Sequence, residues 1–170
     1  SGEGARDYEI APMTPGDTLA PRPPRTGRDG SPSAPQTLDG RREKLRLLAR
    51  VGRVDPGSFD EYRSHGGYAA LDRAFALGPE GIVREALESK LVGRGGAAFP
   101  AGRKWTFVPK NTGKQIYLAV NGDESEPGCF KDRQIMERVP HLLIEGALIS
   151  SRAIGAKVAY IYIRGEYPQS

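Results

Sequence analysis

Two segments of the sequence carry residue types that could hold a nucleotide. The first, called here the glycine-rich segment, is residues 93–105 (GRGGAAFPAGRKW), which combines glycines with Arg94, Arg103 and Lys104. Glycines let the backbone approach a phosphate closely, and exposed N–H groups can cradle an anion. The segment matches neither standard phosphate motif, because no Gly-Lys-Ser/Thr ends it and Ala98 occupies the last glycine position of G-x-G-x-x-G. An ordinary solvated surface loop stays open as the alternative.

The second segment, called here the acidic loop, is residues 121–128 (NGDESEPG), which places three carboxylates within four residues. These acids could coordinate a cation, accept hydrogen bonds from a ribose or hold the edge of a flavin ring. A metal site would need more ligands at coordination spacing, and His65 and His141 are remote in sequence, so no metal site is predicted. A solvated acidic turn after a strand is the simpler alternative.

Residues 1–40 are predicted to form a disordered leader. They hold seven of the fourteen prolines and few apolar residues, so they cannot bury enough surface to offset the entropy of ordering. The leader has a net charge of −2, from four basic and six acidic residues. The whole chain carries +4, which leaves +6 on residues 41–170. A folded part that basic favours phosphate-bearing partners, whether nucleotide, nucleic acid or membrane surface.

Composition also excludes several classes of protein. The single cysteine, Cys129, cannot build an internal disulfide framework or a cysteine-ligated cluster within this chain. With no activating base fixed nearby by the sequence, its thiol is expected to be inert. No apolar run of about eighteen residues is present, so no membrane-spanning helix is predicted. A cytosolic protein is the simplest expectation.

Apolar spacing predicts a chain of helices interrupted by two strands. Both strands are continuous apolar runs, which is typical of strands buried on both faces of a sheet. Strand, helix and strand within about fifty residues form the βαβ unit of a parallel sheet, so an α/β fold is predicted. The predicted helices are Arg41–Val51, Phe59–Ser64, Tyr68–Leu77, Pro79–Leu87, Phe130–Arg138 and Pro140–Ile154, and the predicted strands are Ile116–Asn121 and Val158–Ile163.

Taken together, the two segments resemble the NADH-binding flavoprotein subunit of respiratory complex I. The resemblance runs from about Asp55 to Tyr167 and rests on GRGGAAFPAGRKW, NGDESEPGCFKDR, PHLLIEG and YIYIRGEY. The same family includes diaphorase subunits of NAD-linked hydrogenases and beta subunits of some NAD-linked formate dehydrogenases. The resemblance implies that residues 41–170 form a partial Rossmann-like domain that binds FMN and NADH. It also implies an enzyme subunit that accepts hydride from NADH on FMN and passes electrons to iron–sulfur clusters.

The resemblance assigns roles to individual residues. Glu126 matches the acid near the nicotinamide and is the predicted catalytic residue. Phe99 and Phe107 match aromatic residues that face the dinucleotide. The other implied cofactor contacts are Gly93, Arg94, Gly95, Gly96 and Lys104 along the FMN phosphate and the NADH groove, and Asn121, Asp123, Glu124 and Ser125 on FMN.

This sequence departs from the family pattern in three residues and in extent. Ala98, Gly122 and Cys129 stand where the family usually has Gly, Ala, and Thr or Ser. The domain is expected to be incomplete, without the further sheet strands, the ubiquitin-like domain and the 4Fe–4S domain of the family. We therefore expect the isolated chain to bind FMN weakly or not at all, to be inactive alone and to be prone to aggregate.

Three functions stay open from the sequence. One is the complex I subunit, with NADH as substrate and a thioredoxin-like 2Fe–2S subunit and other peripheral-arm subunits as partners, in the cytoplasm or on the cytoplasmic face of the inner membrane. Another is a diaphorase subunit of a hydrogenase or formate dehydrogenase. The third is a non-catalytic interaction module, or a nucleic-acid-binding domain built on the basic stretch 94–114. Nucleic acid is not expected, because no binding signature is present and the acidic loop would repel phosphate.

Overall fold

The computed structural model describes residues 46–168 and residue 170. The predicted leader, residues 1–40, lies outside this range. None of the described helices is both long enough and apolar enough to cross a membrane. In chain order, the helices and strands of the described residues are α1 Phe59–Ser64, α2 Ala69–Glu88, α3 Ala101–Thr106, β1 Tyr117–Gly122, α4 Lys131–Arg138, α5 Pro140–Ile154 and β2 Val158–Ile163.

The two strands pair in parallel, with Tyr117 opposite Val158 and Gly122 opposite Ile163. Parallel strands need a long connection between them, and α4 and α5 supply it. Pro140 begins α5, and Gly155 ends it with a left-handed φ of 76°. The predicted α/β fold with a parallel βαβ unit is confirmed.

The prediction that both strands are buried on both faces is wrong. Tyr117, Tyr160 and Tyr162 are 52%, 60% and 64% exposed. Helix α5 contacts both strands, whereas these tyrosines face solvent. An apolar run indicates a strand whose two faces could both be buried. It does not show that a second element packs on the other face.

The core lies where α2 packs against α5. Ala74, Ile82 and Ala153 are buried at its centre. Gly78 breaks α2 with φ 68° and ψ 173°, so the two predicted helices meet end to end there. Phe75 lies outside this core; it is 58% exposed, with the Arg152 guanidinium 5.5 Å from its ring.

Two segments differ from the predicted helices. Residues 46–51, the described part of the predicted basic helix, form turns instead, with the Val51 N–H donating to the Leu48 carbonyl. Arg50 extends from these turns to the His65 carbonyl. Helix α3 was not predicted, because six residues of a glycine-rich segment show no apolar period.

A buried polar cluster joins α1, the start of α2 and α5. The Tyr62 hydroxyl donates to Glu145 Oε2 at 2.6 Å, and the Leu71 N–H donates to Glu145 Oε1 at 3.3 Å. The Tyr68 hydroxyl is 2.9 Å from Nδ1 of His141, whose ring stacks on Tyr62 at 5.2 Å. Burial, reinforced by the hydrogen bond to Glu145, raises the pKa of Tyr62 above its ordinary value.

Candidate functional site

The first part of the glycine-rich segment is a loop closed at its base. The Gly93 N–H donates to the Phe99 carbonyl at 2.8 Å, and the Ala101 N–H donates to the Leu91 carbonyl at 2.8 Å. Between these bonds, the backbone N–H groups of residues 94–99 donate to no backbone acceptor among the described residues. The loop therefore presents a row of unused donors, which is the arrangement that binds anions.

Two residues of this loop adopt left-handed backbone conformations. Gly96 has a φ of 97° and Ala98 a φ of 49°. A residue with a Cβ is strained in this region, whereas glycine adopts it freely. Ala98 therefore carries backbone strain that the glycine implied for this position by the resemblance would avoid.

The loop forms one wall of a cavity of about 630 Å³. Four of the predicted site residues line it: Gly93, Gly95, Phe99 and Lys104. The predicted residues Arg94, Gly96 and Phe107 do not line it, although the Phe107 ring lies 6.1 Å from that of Phe99. The cavity is completed by Trp105 on α3, by Leu118, Ala119 and Val120 on β1, by residues of α4 and α5, and by Leu47.

The acidic loop begins at Asn121, directly after the cavity residue Val120. Asn121 Oδ1 accepts from the Asp123 N–H at 2.9 Å, and the Ser125 hydroxyl donates to Asp123 Oδ1 at 3.0 Å. The side chains of these three predicted residues, and that of the predicted catalytic residue Glu126, are exposed. Strand β1 thus carries the acidic loop to the carboxyl edge of a parallel pair, where α/β proteins bind ligands, but none of the predicted residues of this loop lines the cavity.

Glu124 differs from its neighbours because its side chain turns inward. It is 4% exposed, and its carboxylate accepts from the Asp132 N–H at 2.9 Å and the Arg133 N–H at 3.1 Å, at the start of α4. Burial alone would raise the pKa of Glu124. The two backbone N–H groups and the nearby Lys131 ammonium outweigh burial and hold the pKa below its ordinary value.

We expect Glu124→Gln to reduce the loss of unfolding free energy that occurs as the pH is lowered. The pKa of Glu124 is lower in the folded chain than in the unfolded chain, so its contribution is complete above the ordinary glutamate pKa and is lost as pH falls towards the folded value. Urea denaturation followed by circular dichroism, repeated from about pH 6 to about pH 3, measures this. Glu126→Gln, the same change on an exposed side chain, should keep the wild-type profile; identical profiles for all three proteins would contradict the assigned role of Glu124.

Sequence reasoning gave no role to two residues that hold the acidic loop. Arg164, the first residue after β2, donates from Nη1 to the Glu124 carbonyl at 2.6 Å. The Tyr167 hydroxyl lies 3.4 Å from Glu124 Oε2. Their position in the sequence could have indicated this role, because Arg164 follows β2 at the same carboxyl edge of the sheet as the acidic loop.

Comparison with known proteins gives consistent matches. Residues 86–170 match the family model described as the Nuo51 FMN-binding domain. The chain is 57% identical over 122 residues to the F subunit of NADH-quinone oxidoreductase from Aquifex aeolicus (strain VF5), covering 72% of this chain and 28% of that relative. It is 56% identical over 122 residues to the F 2 subunit of the same enzyme from Rhizobium meliloti (strain 1021), covering 71% of this chain and 29% of the relative.

A solved structure agrees with these matches. The crystal structure of an NAD+-reducing NiFe hydrogenase in the air-oxidized state matches with a TM-score of 0.57 and 34% identity, covering 74% of this chain and 20% of the hydrogenase chain. This chain therefore spans less than a third of the length of each of these relatives.

Proposed function

The chain belongs to the family of the Nuo51 FMN-binding domain, and from that premise we propose that its described residues form part of a flavin nucleotide site at which NADH is oxidised. The activity proposed for the whole protein is that of the NADH-quinone oxidoreductase flavoprotein subunit. FMN, when bound, supplies the hydride acceptor and the route for electrons towards iron–sulfur centres. The residues of this chain supply binding, orientation and charge.

The observation that carries the proposal is the row of unused N–H donors beside the cavity. A flavin nucleotide has a phosphate that needs donors and a large ring that needs an apolar wall. The loop offers the backbone donors, and Lys104 adds a cation at the cavity wall. Phe99, Trp105 and Val120 contribute apolar surface to the same cavity. The donor set and the lining both fit such a nucleotide.

The acidic loop is proposed to orient the reacting rings. Asn121, Asp123 and Ser125 expose polar atoms beyond Val120 and are assigned to the flavin, and Glu126 is assigned to the nicotinamide. Glu124 was also predicted from the resemblance to contact FMN. Its carboxylate oxygens accept from the start of α4, which favours a supporting role for this side chain.

We expect Gly96→Ala to raise the FMN dissociation constant about tenfold. Alanine at the left-handed φ of Gly96 costs about 1–2 kcal/mol, so the loop should leave the conformation that presents its donors. Of the two outcomes expected for an incomplete domain, weak FMN binding and none, the proposed site predicts weak binding. Amide chemical shifts of the isotope-labelled chain, followed by NMR during titration with FMN, detect such binding and locate it. In the wild type, the shift changes should concentrate in residues 93–99 and 121–126.

Gly113→Ala is the matched control for this measurement. Gly113 also has a left-handed φ, of 71°, and open space around its Cβ position, but it does not line the cavity. Gly113→Ala should therefore lower the free energy of unfolding about as much as Gly96→Ala does, and should keep the wild-type FMN dissociation constant. If FMN caused no chemical-shift changes in the wild type, or changes scattered over the surface, the proposed site would be contradicted. DNA binding that weakens steeply with salt, without any response to FMN, would favour the nucleic-acid hypothesis instead.

The match to an NAD+-reducing hydrogenase favours a second candidate, the diaphorase subunit of a hydrogenase. Both candidates use the same flavin and NAD(H) chemistry and differ in the partner that accepts electrons. We propose a thioredoxin-like 2Fe–2S subunit as the neighbouring subunit, in the cytoplasm or at the cytoplasmic face of the inner membrane. Co-purification from the native cells, followed by identification of the associated subunits, separates a quinone-reducing complex from a hydrogenase.

A further inference from the structure

We propose that Arg164 is a positioning residue for the nucleotide site, because it fixes the backbone of the acidic loop against the carboxyl edge of the sheet. The inference rests on the proposed function for its consequence, and on hydrogen bonds alone for its structural part. None of the roles assigned above, from the sequence or from the comparisons, includes this residue.

Arg164 and the acidic loop are attached to the sheet side by side. The last pairs of the parallel sheet are Asn121 with Tyr162 and Gly122 with Ile163, so the acidic loop and Arg164 leave the sheet side by side. Arg164 Nη1 then donates to the Glu124 carbonyl at 2.6 Å, across 40 residues of sequence. This bond links the loop after one strand to the residue after the other.

Arg164 is itself held in place. Its Nε and Nη2 donate to the two carboxylate oxygens of Glu166 at 2.9 and 2.8 Å, and the Tyr167 ring lies 5.4 Å from the guanidinium carbon. The hydrogen bonds from Arg164 lower the pKa of Glu166 to about 2, so the pair stays charged. A planar guanidinium can hold Glu166 with one edge and a carbonyl with a further N–H donor.

The acidic loop is held by few attachments. Apart from bonds to the adjacent end of β1, hydrogen bonds from other elements among the described residues reach residues 123–128 only at Glu124. The start of α4 and Tyr167 hold its side chain, whereas Arg164 holds its carbonyl. Asp123 and Ser125, which flank Glu124, bond to each other. The peptide between Glu124 and Ser125 therefore sets the direction in which Asp123, Ser125 and Glu126 face.

The experiment compares Arg164→Met and Arg164→Lys with the wild-type chain. Amide hydrogen exchange of residues 123–129, measured by NMR without ligand, should become about tenfold faster or more in Arg164→Met, because a charged hydrogen bond to the loop is lost. Protection in α5 should not change. FMN titration should show a dissociation constant raised about tenfold, with smaller shift changes in the acidic loop than in residues 93–99. Arg164→Lys keeps the charge but loses the planar set of donors of the guanidinium. Relative to Arg164→Met, it should therefore restore folding more fully than FMN binding.

Arg152→Met is the control, because Arg152 is an arginine of α5 that lies over Phe75, away from the acidic loop. Unchanged exchange in residues 123–129 of a folded Arg164 variant would overturn the inference. So would faster exchange with unchanged FMN affinity, which would make Arg164 structural only. If the wild type gives no FMN response, the proposed function fails and the flavin role of Arg164 falls with it, while the exchange data still decide whether it holds the loop. If Arg164→Met does not fold, the same two criteria apply to Arg164→Lys.

Discussion

Replacing Tyr62 by alanine is expected to lower the free energy of unfolding by about 3–5 kcal/mol, the range for removing a large buried aromatic ring. Tyr62 is 2% exposed, and its ring contacts Tyr68 and His141. The change also leaves Glu145, itself 6% exposed, without its hydroxyl donor. Because a chain of this size has little stability to spare, we expect α1 to detach from α5 or the whole described region to unfold.

Urea denaturation followed by circular dichroism measures the loss. Tyr62→Phe keeps the ring and removes only the hydroxyl, so it should cost about 1–3 kcal/mol through the unsatisfied buried carboxyl group. Tyr162→Ala makes the same truncation on a side chain that is 64% exposed and should cost less than about 1 kcal/mol. Equal losses for Tyr62→Ala and Tyr162→Ala would mean that the polar cluster does not stabilise the fold.

Replacing Gly102 by alanine is expected to cost about 1–3 kcal/mol through overpacking. A Cβ at Gly102 would lie 2.6 Å from the Leu87 nitrogen and 2.8 Å from the Ala86 carbonyl carbon. These are backbone atoms of α2, which cannot move aside as a flexible side chain could. Helix α3 would therefore shift away from α2 and carry Lys104 and Trp105 out of the cavity wall.

The same denaturation experiment tests this change, with Gly146→Ala as its control. Gly146 lies within α5 and has no atom within 4 Å of its Cβ position, so alanine should leave stability unchanged or raise it by up to about 1 kcal/mol. The two variants make the same chemical change, but only Gly102→Ala is expected to lower the free energy of unfolding. A Gly102→Ala protein as stable as the wild type would show that α3 can leave α2 at no cost.

The elements predicted correctly are those whose signal is local. Ser58 caps α1 by accepting from the Glu61 N–H, and Pro140 and Gly155 mark the two ends of α5. Each of these residues acts within one turn of its own position, so the residue type and its place in the sequence are enough to predict the helix end. The strands were also predicted, because each is a short apolar run that contains β-branched and aromatic residues.

The features that were missed depend on contacts between distant residues. Helix α3 forms where Gly102 packs on α2, which no period within the glycine-rich segment records. The described part of the predicted basic helix forms turns, and its Arg50 side chain bonds to the His65 carbonyl, 15 residues away. In both segments tertiary packing outweighs local preference.

The candidate site divides in the same way. Residue types and spacing left a solvated loop open in both segments, and the flavin chemistry was implied by the resemblance; four of the predicted residues, all in the glycine-rich segment, line one cavity. Sequence could not distinguish Glu124, which turns inward, from Asp123 and Glu126, which are exposed. The difference arises because α4 presents two N–H groups to Glu124, a relation visible only after folding.

The only tryptophan of the chain, Trp105, lines the cavity and packs against the core of Ala74, Ile82 and Ala153. Indole emission overlaps the absorption band of an oxidised isoalloxazine, so an excited indole beside such a ring passes its energy to it. Filling the cavity should therefore quench the emission of this one side chain. With a flavin nucleotide in the cavity as proposed, the molecule would contain its own optical reporter of occupancy, with no label to attach.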